Sequence, residues 1–168
     1  DGKIFIAFEA YGRIARFDLP DMMPHALHDW NFFKRTWGNQ GFESLALHPD
    51  GRLLAIQELP SADGSHYSTV TGQEGDWGPG PELAANGKFH AVDAAFDDQG
   101  ALWLLERQFA WLRGYRTRIR RFADVDANGG KIMLVGGAPR SAGDDTDRLL
   151  TTVCEIVHRP GRLPLQAG

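Results

Sequence analysis

Apolar residues along this chain fall in short runs of strand length, broken by turns rich in glycine, proline and aspartate, and few windows carry the 3.6-residue spacing of a helix. One such run recurs. Asp1-Gly2-Lys3-Ile4-Phe5-Ile6-Ala7-Phe8-Glu9 matches Asp50-Gly51-Arg52-Leu53-Leu54-Ala55-Ile56-Gln57-Glu58, and both match Gln99-Gly100-Ala101-Leu102-Trp103-Leu104-Leu105-Glu106. Each unit is a turn, an apolar strand and a glutamate. The turn glycines Gly2, Gly51 and Gly100 stand 49 and 49 residues apart, and a repeat in that size range usually decides the architecture.

A second strand precedes the later two turns, over residues 43–49 and 92–98, so Gly51 and Gly100 are each expected to cap a hairpin. A third element echoes as well: Arg13-Ile14-Ala15-Arg16-Phe17 resembles Arg118-Ile119-Arg120-Arg121-Phe122, 105 residues on. Two periods make 98, so the later unit carries seven extra residues, which we assign to a loop over 108–117. Segments 18–40 and 59–87 read as long connections with one outer strand each, and 72–81 as a loop. The pattern predicts an all-β fold of four-stranded β-propeller blades, about three blades of an incomplete ring. A β-sandwich is the alternative, but it requires no 49-residue echo. Blades are assigned to residues 1–135. After residue 136 the pattern fails, and 136–168 reads as an irregular C-terminal segment, truncated or frame-disturbed. An incomplete ring leaves unpaired edges, which predicts self-association of this piece in isolation.

Composition narrows the picture modestly. With 42% hydrophobic residues in 168, the chain has material for a soluble core. Its net charge of -4, from 22 acidic and 18 basic residues, gives no reason to expect nucleic acid as a partner. No apolar run reaches the roughly 18 residues of a membrane span. Cys154 is the single cysteine, so no disulfide within the chain is possible, and oligomeric state is left open. The first residues read as a turn feeding a strand, without initiator Met or signal core, so more chain is expected before them.

The run Asn39-Gln40-Gly41-Phe42-Glu43-Ser44-Leu45-Ala46, followed by His48-Pro49-Asp50-Gly51-Arg52-Leu53-Leu54-Ala55 and Glu58, resembles the phytase-like family, "esterase-like activity of phytase", of bacterial propeller proteins. Val92-Asp93-Ala94-Ala95-Phe96 with Gly100-Ala101-Leu102-Trp103-Leu104-Leu105-Glu106-Arg107 resembles that family's next unit, and Phe8-Glu9 with Arg13 and Phe17 its first. The resemblance covers about residues 1–135. It departs in the Val-Asp-Ala-Ala context of Asp93, where the family has a Thr-Asp-Leu-Ala type run, and in the absence of an Asp-Asn-x-Glu-Gly segment after Gly136. The resemblance implies a propeller about twice this size, periplasmic or secreted, with recurring acids serving phosphoester chemistry.

The candidate chemistry rests on those acids. Glu9, Glu58 and Glu106 end the repeated strand, and a propeller brings equivalent positions of successive blades around one ring. Crowded carboxylates repel, and a hard cation relieves them; Ca2+, with six to eight oxygen ligands, is the natural occupant and polarises a phosphoryl oxygen. Glu43, Glu58, Asp93 and Glu106 are the candidate catalytic residues, and with Glu9 the candidate metal ligands. Arg107 is the candidate phosphate contact for a small phosphoester substrate. The Gly-to-Glu spacing is seven, seven and six, which places Glu106 on the opposite face or beside a bulge. The competing function is a non-catalytic binding scaffold whose carboxylates hold backbone N–H groups of the next blade. Arg113, Arg116, Arg118, Arg120 and Arg121 read as solvated or paired with Asp124 and Asp126. With Phe109, Trp111 and Tyr115 they also suit stacking on nucleic acid, which the acidic whole disfavours. His25, His28, His66 and His90 have no zinc spacing, and no His-Glu-x-x-His, Gly-x-Ser-x-Gly or Walker motif occurs.

Overall fold

The computed structural model describes residues 2–8, 12–29, 31–34, 41–86, 88–111, 114–123, 125 and 131–135. They form antiparallel sheets in chain order. The first holds β1 (Lys3–Phe8), β2 (Arg13–Asp18) and β3 (Met23–Ala26), paired in that order. The second holds β4 (Phe42–Leu47), β5 (Leu53–Gln57), β7 (Thr69–Gln73) and β8 (Asp76–Pro79), with the short pair β6 (His66–Tyr67) and β9 (Leu83–Ala84) beside it. The third holds β10 (His90–Phe96), β11 (Leu102–Ala110), β12 (Gly114–Ala123) and β13 (Lys131–Val135).

The way these sheets pack shows why Leu53-Leu54-Ala55-Ile56 is a continuous apolar run. Successive side chains of a strand point to opposite faces, and here both faces are covered. Leu53 and Ala55 enter a core with Ile14, Phe33 and Phe42, whereas Leu54 and Ile56 enter another with Leu102, Leu104 and Phe122. The second sheet is thus sandwiched between its two neighbours, and the first strands lie side by side, β1 against β4 and β4 against β10. Serial face-to-face packing with adjacent inner strands is the arrangement of propeller blades, not of a two-sheet sandwich. The chain is all-β, a partial propeller.

The 49-residue echo is also an echo of hydrogen bonding. His48 N–H donates to Arg52 O at 2.8 Å in one hairpin, and Asp97 N–H to Ala101 O at 2.9 Å in the next. Gly51 and Gly100 sit at φ +92° and +78°, where a side chain is strained. Both inner strands carry a β-bulge at the same repeat position, between Phe42 and Ser44 and between Ala91 and Asp93.

Three expectations need correction. The seven extra residues of the third blade are ladder rather than loop, because β11 and β12 stay paired out to Ala110 and Gly114. Cross-strand partners such as Phe109 and Tyr115 favour continued pairing over a loop. Segment 59–87 holds four strands, not one. Within it, 72–81 is largely the β7–β8 hairpin, turned at Glu74-Gly75 between the partners Gln73 and Asp76. Gly72 marks a close approach there, since an added Cβ would lie 2.3 Å from Asp76 O. Segment 136–168 lies outside the described residues.

Candidate functional site

The ladders place the repeated acids differently from simple repeat counting. Phe42 pairs with Gln57, and 49 residues later Ala91 pairs with Glu106, so the blade-two counterpart of Glu106 is Gln57 and that of Arg107 is Glu58. Glu58 and Glu106 therefore point to opposite faces of their own sheets. Because blade two and blade three pack face to face, both nevertheless reach the same interface, from opposite sides.

Glu106 is wholly buried there. Arg118, its direct partner across the β11–β12 ladder, donates from Nε to Oε2 at 2.7 Å and from Nη2 to Oε1 at 3.0 Å. Arg120, also buried, donates to the same oxygens at 2.5 and 2.8 Å. The arginines spend further N–H groups on Ala84 O and Asn86 O, which ties the β9 segment of blade two to blade three. Tyr67 Oη lies 2.7 Å from Glu106 Oε1 and 2.6 Å from Phe89 O, two acceptors for one hydroxyl proton. Burial, and then the Glu106 charge, push the Tyr67 phenol up. Arg118 also lies over the Phe89 ring, 3.9 Å from its centroid.

One residue along, His90 faces Glu58. Its Nδ1 is 2.9 Å from Glu58 Oε1; the glutamate side chain is 17% exposed and the imidazole 42%. Glu58 uses its backbone for the blade junction, accepting Ala91 N–H at 2.9 Å, which leaves the carboxylate to the imidazole. His90 is the ladder partner of Arg107, and Asp93 that of Leu105. Residues 105 and 107 share a face of β11, so the bulge at Val92 keeps His90 and Asp93, three apart, on register positions of one face. Asp93 is exposed, yet enough protein crowds its carboxyl that desolvation raises its pKa, against a lowering bond from Ala94 N–H at 2.8 Å. The solvent in contact with it works against that rise. Arg107 is exposed, its guanidinium 5.6 Å from the Tyr115 ring centroid, with no carboxylate partner among the described residues. Glu43 is half-buried at the blade-two bulge, and Glu9 lies outside the described residues.

The family model "Phytase-like: Esterase-like activity of phytase" matches residues 1–146. The chain belongs to the phytase-like family. Among solved structures it is similar to "YCF48 bound to D1 peptide", at 18% identity and a TM-score of 0.42, over 79% of this chain and 36% of that one. It thus spans about a third of that protein's length. No curated protein matches the chain.

In this phytase-like chain, no three histidine, cysteine, aspartate or glutamate side chains among the described residues stand together as metal ligands. Two of the expected calcium ligands are engaged otherwise: Glu106 spends both oxygens on two guanidinium groups, whose charge repels a cation, and Glu58 is engaged by His90. The structure brings Glu58 to His90, whose ladder partner is Arg107; Asp93 stands three residues further along β10. His90 had no motif to announce it, since position 41 in the preceding repeat is glycine. Arg118 and Arg120 are neither solvated nor, in their bonds here, partners of Asp124 and Asp126, which lie outside the described residues. The β6–β9 pair covers their face, and two-residue strands leave little periodic trace. No helix among the described residues is long and apolar enough to cross a membrane.

Proposed function

We propose that the rim between blades two and three hydrolyses a small phosphoester, with Glu58, His90, Arg107 and Asp93 as its working residues. The observation that carries the reading is the Glu58 Oε1 to His90 Nδ1 contact of 2.9 Å beside Arg107. A carboxylate accepting the Nδ1 proton orients the ring and leaves Nε2 to take a proton from water. The water oxygen then bonds to phosphorus as the P–O bond to the leaving group breaks. Arg107, whose Cβ is about 5 Å from that of His90 as a direct cross-strand partner, offers a planar fork to the phosphoryl oxygens. Asp93, its pKa raised, supplies a proton to the departing alkoxide. The family description names esterase-like activity, which agrees with ester cleavage. Periplasmic or secreted location belongs to the same reading.

The test is a screen of aryl and alkyl phosphomonoesters and diesters with the full-length protein. Glu58→Gln, His90→Asn and Asp93→Asn are each expected to lower kcat/KM by about 100-fold with unchanged thermal melting. Full turnover in the first two variants would remove the proposal. A silent screen, with the same variants lowering the melting temperature, supports the scaffold reading instead; the closed network around Glu106 is the observation that favours it.

A further inference from the structure

Beyond the pair Glu106 and Arg118, strands β11 and β12 continue for four more ladder positions, ending at Ala110 and Gly114. Strand β10 stops at His90, opposite Arg107, so among the described residues the last part of the hairpin extends from the rim as a two-stranded arm. In the first blade the ladder among the described residues begins at Phe8 and Arg13, the counterparts of Glu106 and Arg118. The arm is built from costly material. Phe109, Trp111 and Tyr115 are 57%, 87% and 51% exposed, so three large aromatics stand largely in solvent there.

Their order on the arm is informative. Phe109 and Tyr115 are direct ladder partners with ring centroids 5.0 Å apart, and Arg107 approaches the Tyr115 ring. Residues 107 and 109 share one face of β11 by alternation, opposite Thr117 and Tyr115, and Trp111 follows in the turn beyond the strand. That face starts at the His90–Arg107 pair and runs about 7 Å to Phe109, at roughly 3.3 Å per residue. Residues 107–122 contain six arginines and no acid, in a chain of net charge -4. Arg118 and Arg120 are consumed by Glu106, and Arg121 faces Asp97 at 3.3 Å. Arg107 stays available at the base of the aromatic stripe.

A cation at the base and aromatic faces above it match a ligand with an anion at one end and a planar ring at the other. We infer that the arm is a stacking platform for the ring of an aromatic phosphoester whose phosphate sits at Arg107. This rests on the phosphoester reading given above, and it names the substrate class that reading leaves open. The span suits a small molecule of one or two rings.

The test uses equilibrium binding, which needs no turnover. Phenylphosphonate and methylphosphonate, neither of which can be hydrolysed at an ester, are titrated into the full-length protein by calorimetry. Phenylphosphonate is expected to bind about tenfold more tightly, the size of a single aromatic stacking contact. Trp111→Ala with Tyr115→Ala should remove that preference without changing methylphosphonate affinity; both side chains are exposed, so folding is not at stake. Arg107→Gln should weaken both ligands alike. Equal affinities in the parent protein, or a preference that survives the double variant, overturn the platform. A protein that stacks phenylphosphonate through the arm yet cleaves no ester keeps the platform and loses the hydrolase. One that cleaves phenyl and methyl phosphates equally, with arm-independent binding, keeps the hydrolase and loses the platform.

Discussion

Glu106 has the most demanding environment among the predicted acids, and its cost of removal follows from that. Its carboxylate is fully buried and accepts four guanidinium bonds. Glu106→Gln would leave two arginine charges facing an amide in a dry interface, and breaking a buried ion pair costs about 3–5 kcal/mol. The expected readout is a lower urea midpoint at unchanged slope in the full-length protein, with Glu58→Gln leaving the midpoint unchanged because both partners there touch solvent. Equal midpoints for the two variants would show that Arg118 and Arg120 find other partners. The spacing of six rather than seven residues after the turn glycine left Glu106 either on the other face or beside a bulge, and the ladder gives the other face. What it faces was not legible, since Tyr67 and Ala84 come from strands only two residues long.

At the scale of elements, the Gly51 turn is fastened through Asp50, which accepts from Arg52, and the Gly100 turn through Asp97. Asp97 accepts N–H groups of Gln99 and Ala101 at 3.1 and 2.9 Å and the Trp103 indole N–H at 3.1 Å, with Arg121 nearby. Desolvation is the largest single influence on that carboxyl and pushes its pKa up, but these partners together hold it below the ordinary value. A lowered folded pKa means the contribution is present at neutral pH and is lost as pH falls through that value. An alanine at either glycine must adopt positive φ, a strain of about 1 kcal/mol. At Gly100 its Cβ would also stand 3.0 Å from His48 Nε2, whereas at Gly51 the nearest atom is Gln73 Nε2 at 3.8 Å. Gly100→Ala is therefore expected to lower the melting temperature more than Gly51→Ala. Equal shifts would mean that His48 yields without cost.

For the molecule as a whole, stability is passed from blade to blade through shared faces, and protection against hydrogen exchange should follow that layering. Leu53 to Ile56 and Leu102 to Leu105 are buried on both faces and should exchange slowest. Strand β3, exposed at all four residues, and the arm residues Ala110, Trp111, Gly114 and Tyr115 should exchange fastest. Exchange mass spectrometry on the full-length protein checks this ranking. Protection of β3 equal to that of β5 would mean that further chain covers it.

The chain's own pattern determined the blade unit, because the turn glycines, the two-faced apolar strands and the echo between Arg13 and Arg118 are local properties that each repeat carries within itself. It also favoured this fold over a sandwich, which requires no 49-residue echo. The partners at the blade junction were decided only in three dimensions. Glu58 and His90 are 32 residues apart, and Glu106 and Tyr67 39 apart, so neither pairing obeys a strand or helix period. They meet because two sheets pack face to face, and the strands that supply the partners come from different blades. Spacing within one repeat sets which face a side chain takes, but not which residue of the next blade lies opposite it.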